Sequence, residues 1–291
     1  RGKLDDLVDE FNRKLMGSKQ YTMKNILVFV THETANNSEF IEKIMSFKDT
    51  KLFLIVDEVH NVGTVAKQRS LRDEYDYRLG LSATPKRHYD EEGTVRIFDY
   101  FHDEVFTYNL RQAIKEKHLC EYYYWPIYVE LTNEEMSKYD ELTKKIAAKL
   151  GAKKYLTTSD DDDRNDPSNK RADLIANAEN KMKILENLCD EKQWKLNQTL
   201  IYCTSNQHPL HPTKDTQLEK VNELLSDHHV TIKSVTYRDP TKSRINILDN
   251  LATGHYNCLT AVKCLDEGMD IPSIETAIMM ASSGNPKQYV Q

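Results

Sequence analysis

No run of the chain approaches the roughly 20 apolar residues that a membrane-spanning helix needs, so the sequence excludes a helical membrane protein and a membrane partner. The opening residues, Arg1-Gly2-Lys3-Leu4-Asp5-Asp6, lack the pattern of a signal peptide. They also lack an initiator Met, and the expectation is a start inside a longer protein. No C-x-x-C pair occurs among the five cysteines, Cys120, Cys189, Cys203, Cys258 and Cys264. That spacing argues against a structural zinc site. It reads instead as reduced thiols of an intracellular protein, cytoplasmic or, in a nucleated cell, nuclear. Positive charge is not in excess either: the net charge is −6. A nucleic-acid binder with a bulk basic footprint is therefore excluded, and any such role must rest on motifs. The local basic clusters, Lys86-Arg87-His88, Lys144-Lys145 and Lys153-Lys154, read as solvated faces. No repeat of 20–50 residues is visible.

What is there is an ordinary globular composition, 39% apolar and 30% charged over 291 residues, enough for two modest cores. Short apolar runs alternate with helical periodicity, which predicts an α/β fold with mostly parallel sheets. Strands are predicted at Ile26–Val30, Leu52–Val56, Tyr77–Leu81, Thr199–Cys203, Thr231–Val235, Cys258–Val262 and Thr276–Met280. Leu218, Val221, Leu224 and Leu225 form one apolar helix face. Ile245, Leu248 and Leu251 form another, closed by Gly254 as its C′ residue. The middle is different. Thr132 and Glu135 make a capping-box pattern, followed by Met136, Tyr139, Leu142, Ile146 and Leu150 at helical spacing. A polar, acidic stretch from Thr157 to Pro167 reads as a mobile loop, and a second helix is predicted through Leu174, Ala178, Met182, Leu185 and Leu188.

Three motifs carry chemistry. In Leu52–His60 five apolar residues run straight into Asp57 and Glu58. Ligands of parallel sheets bind at the carboxyl ends of strands, so a buried strand here delivers both carboxylates to where phosphates would sit. Asp57 suits Mg²⁺, and Glu58 can polarise an attacking water. A strand that merely ends in a polar turn would look the same when taken alone. Leu79-Gly80-Leu81-Ser82-Ala83-Thr84-Pro85 places two small hydroxyls at the end of the next strand, where they can bridge hydrogen bonds between sites. Glu267-Gly268-Met269-Asp270-Ile271-Pro272 sets a carboxylate beside a glycine turn after a later strand.

Taken in order and spacing, these resemble the superfamily 2 helicases and translocases, over most of the chain. Asp57-Glu58-Val59-His60 looks like motif II, Ser82-Ala83-Thr84 like motif III, and Leu200–Thr204 like motif IV. The segment from Arg244 leads into a motif V at Glu267–Pro272, and Ser282–Gln291 resembles the approach to motif VI. Glu before the motif V glycine, with the Ala83-Thr84-Pro85-Lys86-Arg87 run, points to the DNA-directed branch of restriction-enzyme motor subunits and XPB-type repair helicases. The resemblance implies two RecA-like domains, 1–117 (incomplete) and 118–291, with a helical segment at about 132–192. It implies ATP and Mg²⁺ as cofactors and DNA, double-stranded or partly single-stranded, as partner, with nuclease or other defence or repair subunits beside it. Asp57 would help hold Mg²⁺ and Glu58 would orient the water. His60, Ser82 and Thr84 would couple the nucleotide to the track. Gly268, Asp270 and Gln291 would contribute to the nucleotide site from the second lobe, and Thr31 and Thr204 are its candidates for nucleic-acid contact.

The pattern also departs from the family. No G-x-x-x-x-G-K-[ST] loop occurs in the 291 residues, and no motif VI arginine follows Gln291. The expectation is a piece of an ATP-dependent DNA motor, cut at both ends, that does not hydrolyse ATP alone. A non-catalytic RecA-like scaffold that binds nucleic acid or a partner protein is the competing reading, and an RNA helicase a third. The aromatic run Tyr122-Tyr123-Tyr124-Trp125 could stack bases, but is read as interface packing.

Overall fold

The computed structural model describes residues 26–47, 50–87, 90–153, 166–191, 196–212, 215–236, 239–262 and 273–281. The chain divides into two compact units, with the change of unit between Tyr122 and Tyr123.

In the first unit, helices α1 (His32–Ala35) and α2 (Ser38–Met45) precede strand β1 (Phe53–Val56), which pairs in parallel with β2 (Tyr77–Gly80). Two 3₁₀ turns, Val59–Gly63 and Val65–Ser70, lie between the strands, and α3 (Glu91–Phe101) and α4 (Leu110–Lys115) follow. Val56, Val59, Val62 and Ile97 form the buried core of this unit, so the first turn and α3 cover one face of β1. Phe53 and Ile55, on the alternate positions, stay more than half exposed. The strand therefore buries one face rather than the whole apolar run. The predicted strand Ile26–Val30 does not form: Leu27 and Phe29 are exposed, and no described strand lies alongside. β-propensity needs a neighbouring strand to act on.

The second unit begins with helices α5 (Asn133–Lys153), α6 (Pro167–Ala176) and α7 (Asn180–Asp190). A parallel sheet follows, in the order β4 (Ile232–Val235), β5 (Cys258–Ala261), β3 (Thr199–Tyr202), β6 (Thr276–Met279). Helices α8 (Gln217–Asp227) and α9 (Thr241–Ala252) make the crossovers. Alternate strand residues feed two cores. Ile201, Cys203, Cys258 and Val262 pack with Leu185 of α7 and with Val221 and Leu225 of α8. Leu200, Val235, Leu259 and Ala261 pack with Ile247 and Leu251 of α9. The sheet is thus covered on both faces, as a parallel sheet must be. The acidic stretch read as a loop lies almost wholly outside the described residues.

Local chemistry sets the helix ends. At the close of α9, Gly254 takes φ +77, its N–H bonds Leu251 O at 3.0 Å, and His255 N–H bonds Asn250 O at 2.9 Å, a Schellman ending. The buried side of α9 is Ile247 and Leu251; Ile245, expected there, is 53% exposed. The single helix predicted through Leu174–Leu188 is broken into α6 and α7. The reason is Glu135. Its Oε2 accepts the Thr132 N–H at 2.8 Å in the capping box, while its Oε1 accepts the Glu179 N–H at 2.9 Å and faces His208 Nε2 at 3.0 Å. Glu135 and His208 are both essentially unexposed. An apolar repeat carries no trace of a break made by a side chain 44 residues away.

Candidate functional site: the carboxyl ends of β1 and β2

The site in the first unit is built by two strand exits that interlock. Beyond the β1–β2 ladder, Leu81 N–H bonds Val56 O at 2.8 Å and Val59 N–H bonds Leu81 O at 2.9 Å, so the turn after β1 is stitched to the end of β2. Gly80 permits the approach: a Cβ there would lie 2.9 Å from Val59 Cγ2. Asp57 stands exposed at the strand end, with its Oδ1 accepting the Glu58 N–H at 3.0 Å and its backbone oxygen 2.9 Å from His32 Nε2. Glu58 takes φ 47, ψ 51, the left-handed region that a non-glycine residue seldom enters. Such backbone persists where the surroundings over-determine it, and it collects at functional sites.

His60 is fully buried, with Nδ1 2.9 Å from Ser82 Oγ and 3.3 Å from Glu58 Oε2. Ser82 Oγ also accepts the Thr84 N–H at 3.1 Å. One hydroxyl thus ties the two motifs together. Thr84 Oγ1 is buried and finds no hydrogen-bond partner among the described residues. An unsatisfied buried hydroxyl costs roughly 1–3 kcal/mol.

The remaining predicted residues are dispersed. Thr31 is exposed and caps α1 through its Oγ1, which accepts the Thr34 N–H at 3.2 Å. Thr204, in the second unit, follows β3. Its N–H bonds Gln217 Oε1 at 3.0 Å, and its Oγ1 accepts the Asn206 N–H. Gly268, Asp270 and Gln291 lie outside the described residues, as does all of the sequence read as motifs V and VI. Tyr122–Trp125 are exposed, with Tyr123 stacked on Trp125 at 5.8 Å.

Sequence reasoning missed two residues. Arg87, read as part of a solvated basic face, has a side chain only 19% exposed and turns inward. Lys181 is 8% exposed, and its Nζ donates to Met280 O at 2.9 Å and Ala176 O at 3.2 Å. Its spacing in an amphipathic helix signals nothing. Burial pushes its ammonium down to about 8, against the pull of Glu135.

The donor at the end of β1 fits Mg²⁺. Asp57 offers an exposed hard oxygen donor at a parallel strand end. Among the described residues no three His, Cys, Asp or Glu side chains form a metal cage. Mg²⁺ bound with phosphates commonly takes one or two carboxylates rather than such a cage.

Parallel α/β units, the first ending a strand on paired carboxylates with His60 beside them held to the next strand's Ser82, are consistent with RecA-like domains. Two family models match separate stretches of the chain. The type III restriction enzyme res-subunit family matches residues 4–87, and the helicase conserved C-terminal domain family matches residues 180–291. Both matches are to families of helicase type, each over part of the chain. The chain is 25% identical, over 97% of its length, to the DNA 3'-5' translocase XPB2 of Sulfurisphaera tokodaii, of which it spans 62%. It is 32% identical over 74 residues to the type I restriction enzyme EcoAI endonuclease subunit of Escherichia coli, 24% of this chain and 8% of that protein. The Hef helicase domain of Pyrococcus furiosus superposes on 89% of this chain and 70% of that one with TM-score 0.38 and 14% identity. No helix among the described residues is long and apolar enough to cross a membrane.

Proposed function

We propose that these residues are part of an ATP-dependent motor that translocates on or unwinds DNA, in a restriction, defence or repair setting. The observation that carries the reading is the contact of His60 with Ser82, which joins the strand end bearing Asp57 and Glu58 to the neighbouring hydroxyl motif. A nucleotide-driven motor needs such a joint, because hydrolysis must be felt at a second site. Mg²⁺, when bound, would neutralise phosphate charge, with Asp57 as its protein ligand. Glu58 would orient the attacking water at its carboxylate. His60, Ser82 and Thr84 would pass the state of the nucleotide to the DNA track. Gly268, Asp270 and Gln291 would act from the second unit, and Thr31 and Thr204 would touch DNA backbone, where contacts position rather than specify.

The full-length protein also needs a phosphate loop, and none occurs in these 291 residues. By themselves they would therefore not turn over ATP. The family's restriction and XPB-type relatives support DNA over RNA. The test is displacement of a third strand from a DNA triplex by the full-length protein with ATP. Displacement that requires ATP supports the motor. Binding to DNA without displacement or unwinding, with or without ATP, would leave a scaffold instead.

A further inference from the structure

The segment that follows β2 grips His60 twice. Ser82 holds its ring. Five residues on, Arg87 Nη1 donates to the His60 backbone carbonyl. The guanidinium is itself fixed, because Nε pairs with Asp90 Oδ2 at 2.6 Å. Asp90 caps α3, its Oδ1 accepting the Gly93 N–H at 2.8 Å, and the Arg87 N–H bonds Thr94 Oγ1 at 2.9 Å. From the same helix, Arg96 donates to the carbonyl of Gly63, at the end of the turn that His60 occupies.

Two glycines make room for this arrangement. A Cβ at Gly93 would lie 2.7 Å from Arg87 Nε, and one at Gly63 would lie 2.7 Å from Arg87 Cδ. The pocket around Arg87 is thus shaped for a guanidinium that serves a carboxylate on one side and a backbone carbonyl on the other. A planar fork can do both at once, whereas a lysine ammonium is a single point charge.

We propose that Arg87 is a positioning residue for the motor: it sets the backbone of His60, and through it the ring that meets Ser82, so that DNA-stimulated turnover depends on Arg87 though it touches neither nucleotide nor DNA. This inference rests on the motor reading above. Loss of Arg87 removes its hydrogen bond to the His60 carbonyl and its ion pair with Asp90. The backbone that carries the ring then loses one of its supports, and a ring displaced by as little as 1 Å no longer meets the hydroxyl.

The experiment compares basal and DNA-stimulated ATP turnover of the full-length protein with those of Arg87→Lys and Arg87→Ala. The ratio of stimulated to basal turnover is expected to fall about tenfold or more in both, with Arg87→Lys failing to rescue. Simple loss of folded protein lowers both rates together and leaves the ratio intact. An unchanged ratio in both variants overturns the proposal. Should the parent protein itself show no DNA-stimulated turnover, the motor reading fails rather than this one. The His60 imidazole nitrogen resonances of the ¹⁵N-labelled protein then decide. A shift in Arg87→Lys, with other histidines unmoved, supports the positioning role, and an unchanged His60 signal overturns it.

Discussion

His60 and Ser82, 22 residues apart in sequence, meet at 2.9 Å between Nδ1 and Oγ inside the first unit. The contact exists because two parallel strands end side by side and each turns outward with a polar residue. Removing the hydroxyl takes a hydrogen-bond partner from a fully buried imidazole. Ser82→Ala is expected to lower the stability of this unit by about 1–2 kcal/mol and to reduce DNA-stimulated turnover of the full-length protein roughly tenfold. Chemical denaturation and a steady-state rate check the two parts. A stability loss with unaffected stimulation would reduce Ser82 to a structural residue.

Gly80 should not tolerate even a methyl group. Its missing Cβ is the space into which Val59 packs. Gly80→Ala must push the turn carrying Glu58 and His60 away from β2, at a cost of about 1–3 kcal/mol of overpacking. Thermal unfolding reads this directly, and an unshifted midpoint would show that Val59 repacks freely.

Glu135 is the hub of the second unit's helical segment. Burial pulls its carboxyl upward, but hydrogen bonds from the Thr132 and Glu179 N–H groups and from His208 win, so the group sits below the ordinary carboxylate value. A lowered folded value means stability that is present above the unfolded value, near 4.5, and lost as pH falls below it. Glu135→Ala removes three partners and is expected to cost about 3 kcal/mol at pH 7. The gap between wild type and variant should shrink in acid. A gap that stays constant from pH 7 to pH 3 would contradict the assignment.

Lys181 gives the same sign of pH dependence, in alkali. Its folded value is pushed down to about 8 from the ordinary 10.5, so between those limits the unfolded chain binds more protons than the folded one. Stability from this group therefore rises with pH across that window, by an amount on the order of 3 kcal/mol. Buried Cys203 and Cys258 pull the other way. Burial pushes their thiols up to about 12, so above pH 9 the unfolded chain gains stability by ionising them. The difference between wild type and Lys181→Met isolates the lysine. Relative to the variant, wild type should gain stability from pH 8 to pH 10.5, and parallel curves would refute the shift.

The motif-bearing strand ends were legible in the sequence because strand period and the chemistry of strand exits are local. Asp57, Glu58, His60, Ser82 and Thr84 arrive at neighbouring strand ends for that reason. What escaped was non-local. Ile26–Val30 has strand composition but no described strand beside it. Glu135 breaks a helix 44 residues downstream with one carboxylate oxygen. Ile245 and Ile247 are equally apolar, and only the sheet decides which one is buried. Arg87 looks like surface charge until Gly63 and Gly93 are seen to leave space for it.

The central claim is that the carboxylate pair at the end of β1 belongs to a DNA-driven ATPase. It is tested most directly by ATP turnover of the full-length protein, with and without double-stranded DNA, beside Glu58→Gln. The account predicts turnover that DNA stimulates and that the variant loses by about 100-fold or more. Absence of turnover with any nucleic acid, or turnover that Glu58→Gln leaves intact, would contradict it.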